Sequence, residues 1–139
     1  MPSRDLTQAC SILQEAVPRL VGMYNGRYSD KMARVGEVLR TDQEQLAKWQ
    51  QGRGLPGKIV TNADGTRIKS AHQAALFHGE NASHAVDIDV LSPDGKNYVT
   101  HEQAYWPLIG LATAVGIVSG GDWMKPDFPH LACPYFKVG

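Results

Sequence analysis

The chain has 139 residues, which is enough for a single domain. Hydrophobic residues make up 42% of it and charged residues 20%, so it can bury a core and is not expected to be disordered. Lys and Arg number 14, as do Asp and Glu, and a formal net charge of +0 argues against a nucleic-acid partner.

Segments that would direct the chain to a membrane are missing from the sequence. The longest apolar stretch, Leu108 to Val118, is much shorter than the about 20 residues that a membrane-spanning helix needs. The N-terminal residues lack the apolar region of a signal peptide, which predicts synthesis in the cytoplasm without export.

Two cysteines, Cys10 and Cys133, are too few for a disulfide framework and are expected to be buried free thiols. We expect a monomer.

Charge and histidine are unevenly distributed along the chain. Residues 1–70 hold eleven basic and seven acidic side chains, whereas residues 71–139 hold three basic and seven acidic ones. That second, acidic half contains all five histidines, which are His72, His78, His84, His101 and His130. Because histidine nitrogens and carboxylate oxygens are the ligands of catalytic zinc sites, this half is where we look for a metal centre.

The first predicted elements are a helix and a short strand. Apolar residues at helical spacing predict a helix over residues 5–24. Pro18 should kink or split that helix, since proline removes a backbone donor and clashes with the preceding turn. Asn25-Gly26 should end it. Val35 to Leu39 follows as a candidate strand.

The middle of the chain begins with a clear helix signal. Thr41-Asp-Gln-Glu44 is a capping-box pattern that predicts a helix over residues 42–51. Turn signals then bracket a short extended piece, Lys58 to Asn62. The stretch from Ser70 to Ser83 is ambiguous and could contain a helical turn.

The second half contains the best strand of the sequence. Ala85 to Leu91 alternates and is rich in β-branched residues, and Lys96 to Val99 is its predicted hairpin partner. A capping pattern at residues 100–103 predicts a helix that runs to about Val115, in which Pro107 is unexplained. A last strand is expected near residues 130–136. Short strands and separate helices predict one α+β domain, residues 1–139, with a short antiparallel sheet and flanking helices.

Two carboxylates stand out on the best strand. Asp87 and Asp89 are at positions i and i+2, so their side chains share one face of the strand. Burying both without partners would cost free energy, which a cation would offset. A solvated face explains the pair equally well.

Two further segments carry metal-type residues. Asp127-Phe-Pro-His130 places a carboxylate three residues before an imidazole, where it could act as a general base beside a metal-bound water. Ser70-Ala-His72 is weaker alone, because a single histidine near apolar residues is more often structural. The His-Glu-x-x-His, Cys-x-x-Cys, phosphate-loop and Gly-x-Ser-x-Gly patterns are absent from the sequence.

Taken together, the segments resemble the zinc peptidases of the M15 family, which includes D-Ala-D-Ala carboxypeptidases and phage endolysins that cleave L-alanyl-D-glutamate bonds. The resemblance covers residues 35–131, with residues 1–30 as an N-terminal helical region. It is carried by the following pieces in order: Arg40-Thr41, Gln45, Gln51-Gly52-Arg53, Ser70-x-His72, Ala85-Val86-Asp87-Ile88, Gly121-Asp122-Trp123 and Asp127-x-x-His130.

The resemblance implies a role for each matched residue. His72, Asp87 and His130 would be the zinc ligands, in a cleft on the sheet, and Asp127 the catalytic base. Arg40 would orient the substrate or support its developing negative charge. Three protein ligands would leave one zinc position open for water.

Alternatives remain within this assignment. His72 precedes Asp87 by fifteen positions, a longer spacing than the family usually has, so His78 or His84 could replace His72. Asp89 is the alternative to Asp87. Trp123 would either shape the wall of the cleft or pack in the core.

The resemblance favours a zinc-dependent peptidoglycan peptidase, with stem peptides as its partner. We expect a phage or prophage endolysin that cleaves the L-alanyl-D-glutamate bond and reaches the wall through a separate membrane-permeabilising protein. The small size, the missing export signal and a glycine pair, Gly120-Gly121, that would leave the cleft open all favour this type. The alternatives are a D,D-carboxypeptidase or dipeptidase on the same scaffold, and an inactive wall-binding or virion structural module.

Overall fold

The computed structural model describes residues 3–137, so residues 1, 2, 138 and 139 of the predicted domain lie outside the described residues. Its α-helices are α1 (Ser11–Arg27), α2 (Asp42–Gln50) and α3 (Pro107–Ala114). Its strands are β1 (Met32–Val35), β2 (Ala75–Phe77), β3 (Glu80–Ala82), β4 (Ala85–Leu91), β5 (Val118–Ser119) and β6 (His130–Ala132). Short 3-10 turns cover Leu6–Gln8, Glu102–Ala104 and Gly120–Asp122.

The strands form two antiparallel sheets. The larger sheet has four strands in the order β1-β4-β6-β5, and β2 pairs with β3 in a separate hairpin. The combination of α-helices with two antiparallel sheets confirms the predicted α+β class and its short antiparallel sheet. Within residues 3–137, no helix combines the length and apolar character that crossing a membrane requires.

The hydrophobic core lies on one face of the larger sheet. Val86, Ile88 and Val90 of β4 are fully buried there, in one cluster with apolar side chains of α1 and α3. Burying each such side chain contributes about 1.5–3 kcal/mol. The intervening residues, Asp87 and Asp89, are on the other face because side chains alternate along a strand. The core therefore directs these two carboxylates away from the helices.

Two predicted elements form where the sequence places them. Helix α2 begins with a complete capping box, in which Thr41 Oγ1 accepts from the backbone N–H of Glu44 and Glu44 Oε1 accepts from that of Thr41. Strand β4 has the predicted bounds. In both cases the local sequence signal and the packing of the fold favour the same secondary structure.

The prediction for the first helix was wrong in its details. Helix α1 runs through Pro18 without a break and continues past Asn25-Gly26 to Arg27. Pro18 has no N–H to donate to the carbonyl of Gln14, four residues earlier. Both residues are on the exposed side of the helix, so water can donate to that carbonyl instead. Asn25 does not end the helix; its side-chain amide exchanges two hydrogen bonds with the backbone of Ala33 in β1, at 2.7 and 3.0 Å.

The helix predicted after residue 100 begins later than expected. His101 makes no side-chain cap, and a 3-10 turn precedes α3, which begins at Pro107. Proline at the first position of a helix is favourable because its missing N–H would have no partner there. The apparent cost of Pro107 therefore disappears.

Several short elements differ from the prediction. The strand predicted over Val35 to Leu39 forms earlier, as β1, and the ambiguous stretch from residue 70 to 83 forms the β2–β3 hairpin. Lys58 to Asn62 is not a strand. Lys96 to Val99 contributes a bridge between Tyr98 and Leu91, not a full strand.

Candidate active site

The register of the larger sheet brings two of the predicted ligands together. Asp87 of β4 lies directly opposite His130 of β6 in the antiparallel ladder. Opposed residues of a ladder point to the same face, and this is the face without the core. As a result, His130 Nδ1 is 3.4 Å from Asp87 Oδ1.

The third predicted ligand reaches the same carboxylate oxygen from a loop. His72 precedes β2, and its backbone carbonyl accepts a hydrogen bond of 2.9 Å from the backbone N–H of Arg40. Its ring Nδ1 lies 2.9 Å from the carbonyl of Val38, which leaves Nε2 3.2 Å from Asp87 Oδ1. A backbone carbonyl in this position fixes the orientation and tautomer of a metal-ligating histidine.

These three residues fit a zinc ion. Their donor atoms all lie within 4.8 Å of one another. Ligands about 2.0–2.1 Å from a tetrahedral zinc are about 3.3 Å apart, close to the 3.2 and 3.4 Å found between Asp87 Oδ1 and the two imidazole nitrogens. Two buried imidazoles and one carboxylate are a donor set typical of catalytic zinc.

The electrostatics of the cluster favour a charged carboxylate. Burial opposes ionisation of Asp87, but hydrogen bonds from His130 and His72 outweigh it and hold the pKa of Asp87 well below its usual range. Burial likewise opposes the charged form of His72, and the hydrogen bond and charge of Asp87 reverse that effect and raise the pKa of His72. The site therefore attracts positive charge, whether a proton or a metal cation.

Asp127 lies in the same cleft but does not belong to the ligand cluster. It is held by its backbone, because its N–H donates to Gly120 O at 2.9 Å and its carbonyl accepts from His130 N at 3.2 Å. Partial desolvation, followed by the negative charge of Asp87, raises the pKa of Asp127. A raised pKa makes a carboxylate a stronger base, which favours its use as a proton acceptor.

Arg40 is a buried cation that the protein holds from one side. It is 9% exposed. Its Nε donates to Glu37, and its Nη1 donates to Gln45 and, at 3.3 Å, to Ser70 Oγ. Its Nη2 makes no hydrogen bond to residues 3–137, and Arg40 lines the cleft, so we expect this donor to be available to a ligand. Ser70 Oγ also accepts from the backbone N–H of His72 at 3.2 Å, which couples the arginine to the ligand loop.

A cleft of about 340 Å³ is lined by the three candidate ligands together with Arg40, Ser70 and Asp127. Trp123 is 44% exposed, and its ring lies 4.9 Å from that of His130, so it forms a wall of the cleft and does not pack in the core. The other residues that line the cleft are Lys48, Val60, Thr61, Ala63 and Ala71. No sequence motif pointed to Lys48 or to residues 60–63 as part of the cleft.

The alternative ligands lie elsewhere. His78 is exposed on the β2–β3 turn, with a left-handed φ of 51°. His84 is buried beside Cys10 and Cys133, in a different cluster. Asp89 pairs with arginine, its Oδ2 lying 2.7 Å from Arg4 Nη1. The structure thus brings His72, Asp87 and His130 together and separates them from the alternatives.

The two glycines before Trp123 have a packing role that the sequence analysis missed. A Cβ atom on Gly120 would lie 2.4 Å from Asp127 O and 3.0 Å from His130 Cβ. One on Gly121 would lie 2.7 Å from Ile109 Cγ1. The glycines therefore allow the chain carrying Asp127 and His130 to approach the preceding turn closely, which is a different role from keeping the cleft open.

Comparison with known proteins supports the fold. No family model matches the sequence. The crystal structure of the Serratia marcescens L-Ala D-Glu endopeptidase ChiX is similar, with a TM-score of 0.50 and 22% sequence identity. The match covers 91% of this chain and 90% of that chain. At this identity the likeness shows a shared fold, and it extends over nearly the whole domain.

Proposed function

We propose that this chain is a zinc-dependent peptidase of peptidoglycan stem peptides, and that it cleaves the L-alanyl-D-glutamate bond. The observation that carries the proposal is the convergence of His72, Asp87 and His130 within one cleft, with Asp127 beside them. The fold shared with an L-Ala D-Glu endopeptidase points to the same substrate class. The M15 resemblance of the sequence supports the same assignment of residues.

Each residue has a distinct part in the proposed hydrolysis. His72, Asp87 and His130 would hold the zinc, which when bound supplies a Lewis acid that polarises a carbonyl and acidifies water. Asp127 accepts the proton of the attacking water and returns it to the leaving amine. Its raised pKa suits both transfers. Arg40 donates through its Nη2 to the oxygen on which negative charge develops.

Two cationic side chains of the cleft suit an acidic peptide. Arg40 and Lys48 both line it. The D-glutamate residue of a stem peptide carries a free carboxylate, which a cation beside the zinc ligands would attract. Trp123 offers an apolar wall for the aliphatic parts of such a peptide.

The biological setting is a further part of the proposal. We propose an endolysin of a phage or prophage that acts as a monomer, without a nucleic-acid or membrane partner. Its synthesis in the cytoplasm and its release through a membrane-permeabilising protein remain predictions from the sequence. Turbidity of a host-cell suspension, with and without permeabilisation, would test that route.

Digestion of purified, crosslinked peptidoglycan tests the activity. We expect the zinc-loaded protein to solubilise the wall and to expose new alanine carboxyl ends and glutamate amino ends, identified by mass spectrometry of the products. Asp127→Asn should slow the release by about 10²–10⁴-fold, and Asp122→Asn, a change of another exposed carboxylate nearby in the chain, should not.

Two outcomes would replace the proposal. Release of free D-alanine from pentapeptide stems without solubilisation would identify a D,D-carboxypeptidase. Binding to the wall without any new peptide ends, at full zinc occupancy, would identify an inactive wall-binding module.

A further inference from the structure

A second group of metal-type side chains lies outside the proposed active site, where β4 begins. Cys10, His84 and Cys133 are 1%, 0% and 3% exposed. Their donor atoms all lie within 4.8 Å of one another, and both cysteines are free thiols. The proposed peptidase mechanism uses none of the three, so their convergence needs a separate explanation.

The backbone holds these residues side by side. Cys10 N donates to Ser83 O at 2.9 Å, and Cys133 N donates to His84 O at 3.0 Å. The segment carrying Cys10 and the end of β6 thus flank the start of β4 on opposite sides. Because main-chain bonds on both sides fix the spacing, the three side chains are preorganised and need not be gathered by a ligand.

The orientation of His84 points to a ligand. Its Nε2 lies 2.7 Å from the carbonyl of Ala75, so Nε2 carries the proton and Nδ1 carries the lone pair. Nδ1 is buried and has no hydrogen-bond partner in residues 3–137. The rings of Phe77 and Phe136 pack on the imidazole at centroid distances of 5.5 and 4.7 Å. A buried lone pair among apolar rings needs a partner.

We propose that Cys10, His84 and Cys133 form a structural metal site for Zn²⁺, separate from the active site. Thiolate and imidazole are donors that zinc prefers, and a histidine whose other nitrogen donates to a backbone carbonyl is typical of its ligands. Neither a disulfide nor a pair of plain thiols accounts for the orphaned Nδ1 of His84.

Charge selects the ion. Two thiolates and a neutral imidazole balance Zn²⁺, whereas Cu⁺ would leave a net negative charge in a buried site, which is costly. A divalent cation that displaces both thiol protons leaves the buried site neutral.

A metal at this site would link segments near the two ends of the domain to the beginning of β4. Cys10 directly precedes α1, His84 precedes β4 and Cys133 follows β6. Metal binding would therefore stabilise the fold without touching the cleft. Since the site has three protein donors and not four, we expect the metal to be removable by a chelator.

Cobalt substitution tests the site independently of any peptidase activity. Thiolate ligands give Co²⁺ an intense charge-transfer absorption in the near ultraviolet, which the His72, Asp87 and His130 cluster cannot produce because it has no sulfur. We expect the band in the metal-free wild type after addition of Co²⁺, and we expect Zn²⁺ to displace it. His130→Ala should keep the band, and Cys133→Ser should lose it.

A second measurement covers the case in which Cys133→Ser fails to fold. Zinc should raise the thermal midpoint of His130→Ala, which lacks one ligand of the active-site ion, and a chelator should reverse the rise. Absence of the charge-transfer band in the reduced, folded wild type would overturn the proposal. So would isolation of the native protein with two fewer hydrogens and no titratable thiol, because the cysteines would then form a disulfide. Neither result would bear on the peptidase assignment.

Discussion

Asp87 and His130 face each other across the β4–β6 ladder, on the side of the sheet that the core does not use. The relationship follows from two simple facts: side chains alternate along β4, and antiparallel register opposes single residues. Val86 and Ile88 anchor the inner face, so Asp87 has no freedom to turn inward. The rigid part of the site is therefore this pair, to which the loop residue His72 is added.

Loss of His130 should remove the active-site zinc. We expect His130→Ala to bind one equivalent of zinc fewer than the wild type, because a carboxylate and a single imidazole hold the ion weakly. Metal analysis of protein dialysed against a limiting zinc buffer measures the difference. His78→Ala is the matched control and should leave the metal content unchanged. Unchanged metal in the His130 variant would show that this ligand is wrongly assigned.

Asp127 should be needed for turnover but not for zinc. General acid–base catalysis typically contributes about 10²–10⁴-fold, so Asp127→Asn should lower kcat by that factor while the metal content stays constant. Peptide-end release and metal analysis on the same preparation separate the two effects. If the variant lost its zinc, Asp127 would instead be a ligand.

The sequence predicted the regions where local signals and packing agree. The capping box at Thr41 and Glu44 and the alternation in β4 are both recognisable without the fold. Helix α1 was misjudged because the effect of Pro18 depends on which side of the helix faces water. The β2–β3 hairpin was missed because Ala75 and Leu76 carry no distinctive strand pattern.

The candidate site was predictable in its residues but not in its support. Asp87, His130 and Asp127 are recognisable from motif order, whereas the bond between the His72 ring and the carbonyl of Val38 is a contact across the fold. The orphaned Nδ1 of His84 is equally invisible in a sequence, because it depends on what surrounds a buried ring.

The His72–Asp87 pair should make the metal-free protein sensitive to pH. The pKa of Asp87 is lowered on folding, so its contribution is present above its unfolded pKa of about 3.9 and is lost as pH falls through the folded value. The pKa of His72 is raised, so its contribution is present below its unfolded pKa of about 6.5 and is lost as pH rises through the folded value.

The pair therefore stabilises the metal-free fold most between about pH 4 and 6.5. We expect the difference in thermal midpoint between wild type and His72→Gln, both in chelator, to shrink as the pH rises beyond this window. With zinc the trend should reverse, since a neutral imidazole binds the ion. A difference that grows with pH in chelator would contradict the ion pair.

Gly120 should be intolerant of any side chain, because the space for a Cβ is already filled by Asp127 O at 2.4 Å and by His130 Cβ at 3.0 Å. The first neighbour is backbone, so the chain itself must shift. We expect Gly120→Ala to reduce the free energy of unfolding by about 1–3 kcal/mol, as overpacking does. It should also lower activity, because Asp127 and His130 would be displaced.

Gly110→Ala is the control: nothing lies within 4 Å of its Cβ position in α3, so it should stabilise the helix by about 0.5–1 kcal/mol. Chemical denaturation measures the free energy of unfolding of both variants, and turnover measurements compare their activities. A Gly120→Ala protein with full stability and activity would mean that this turn yields freely and does not position the site.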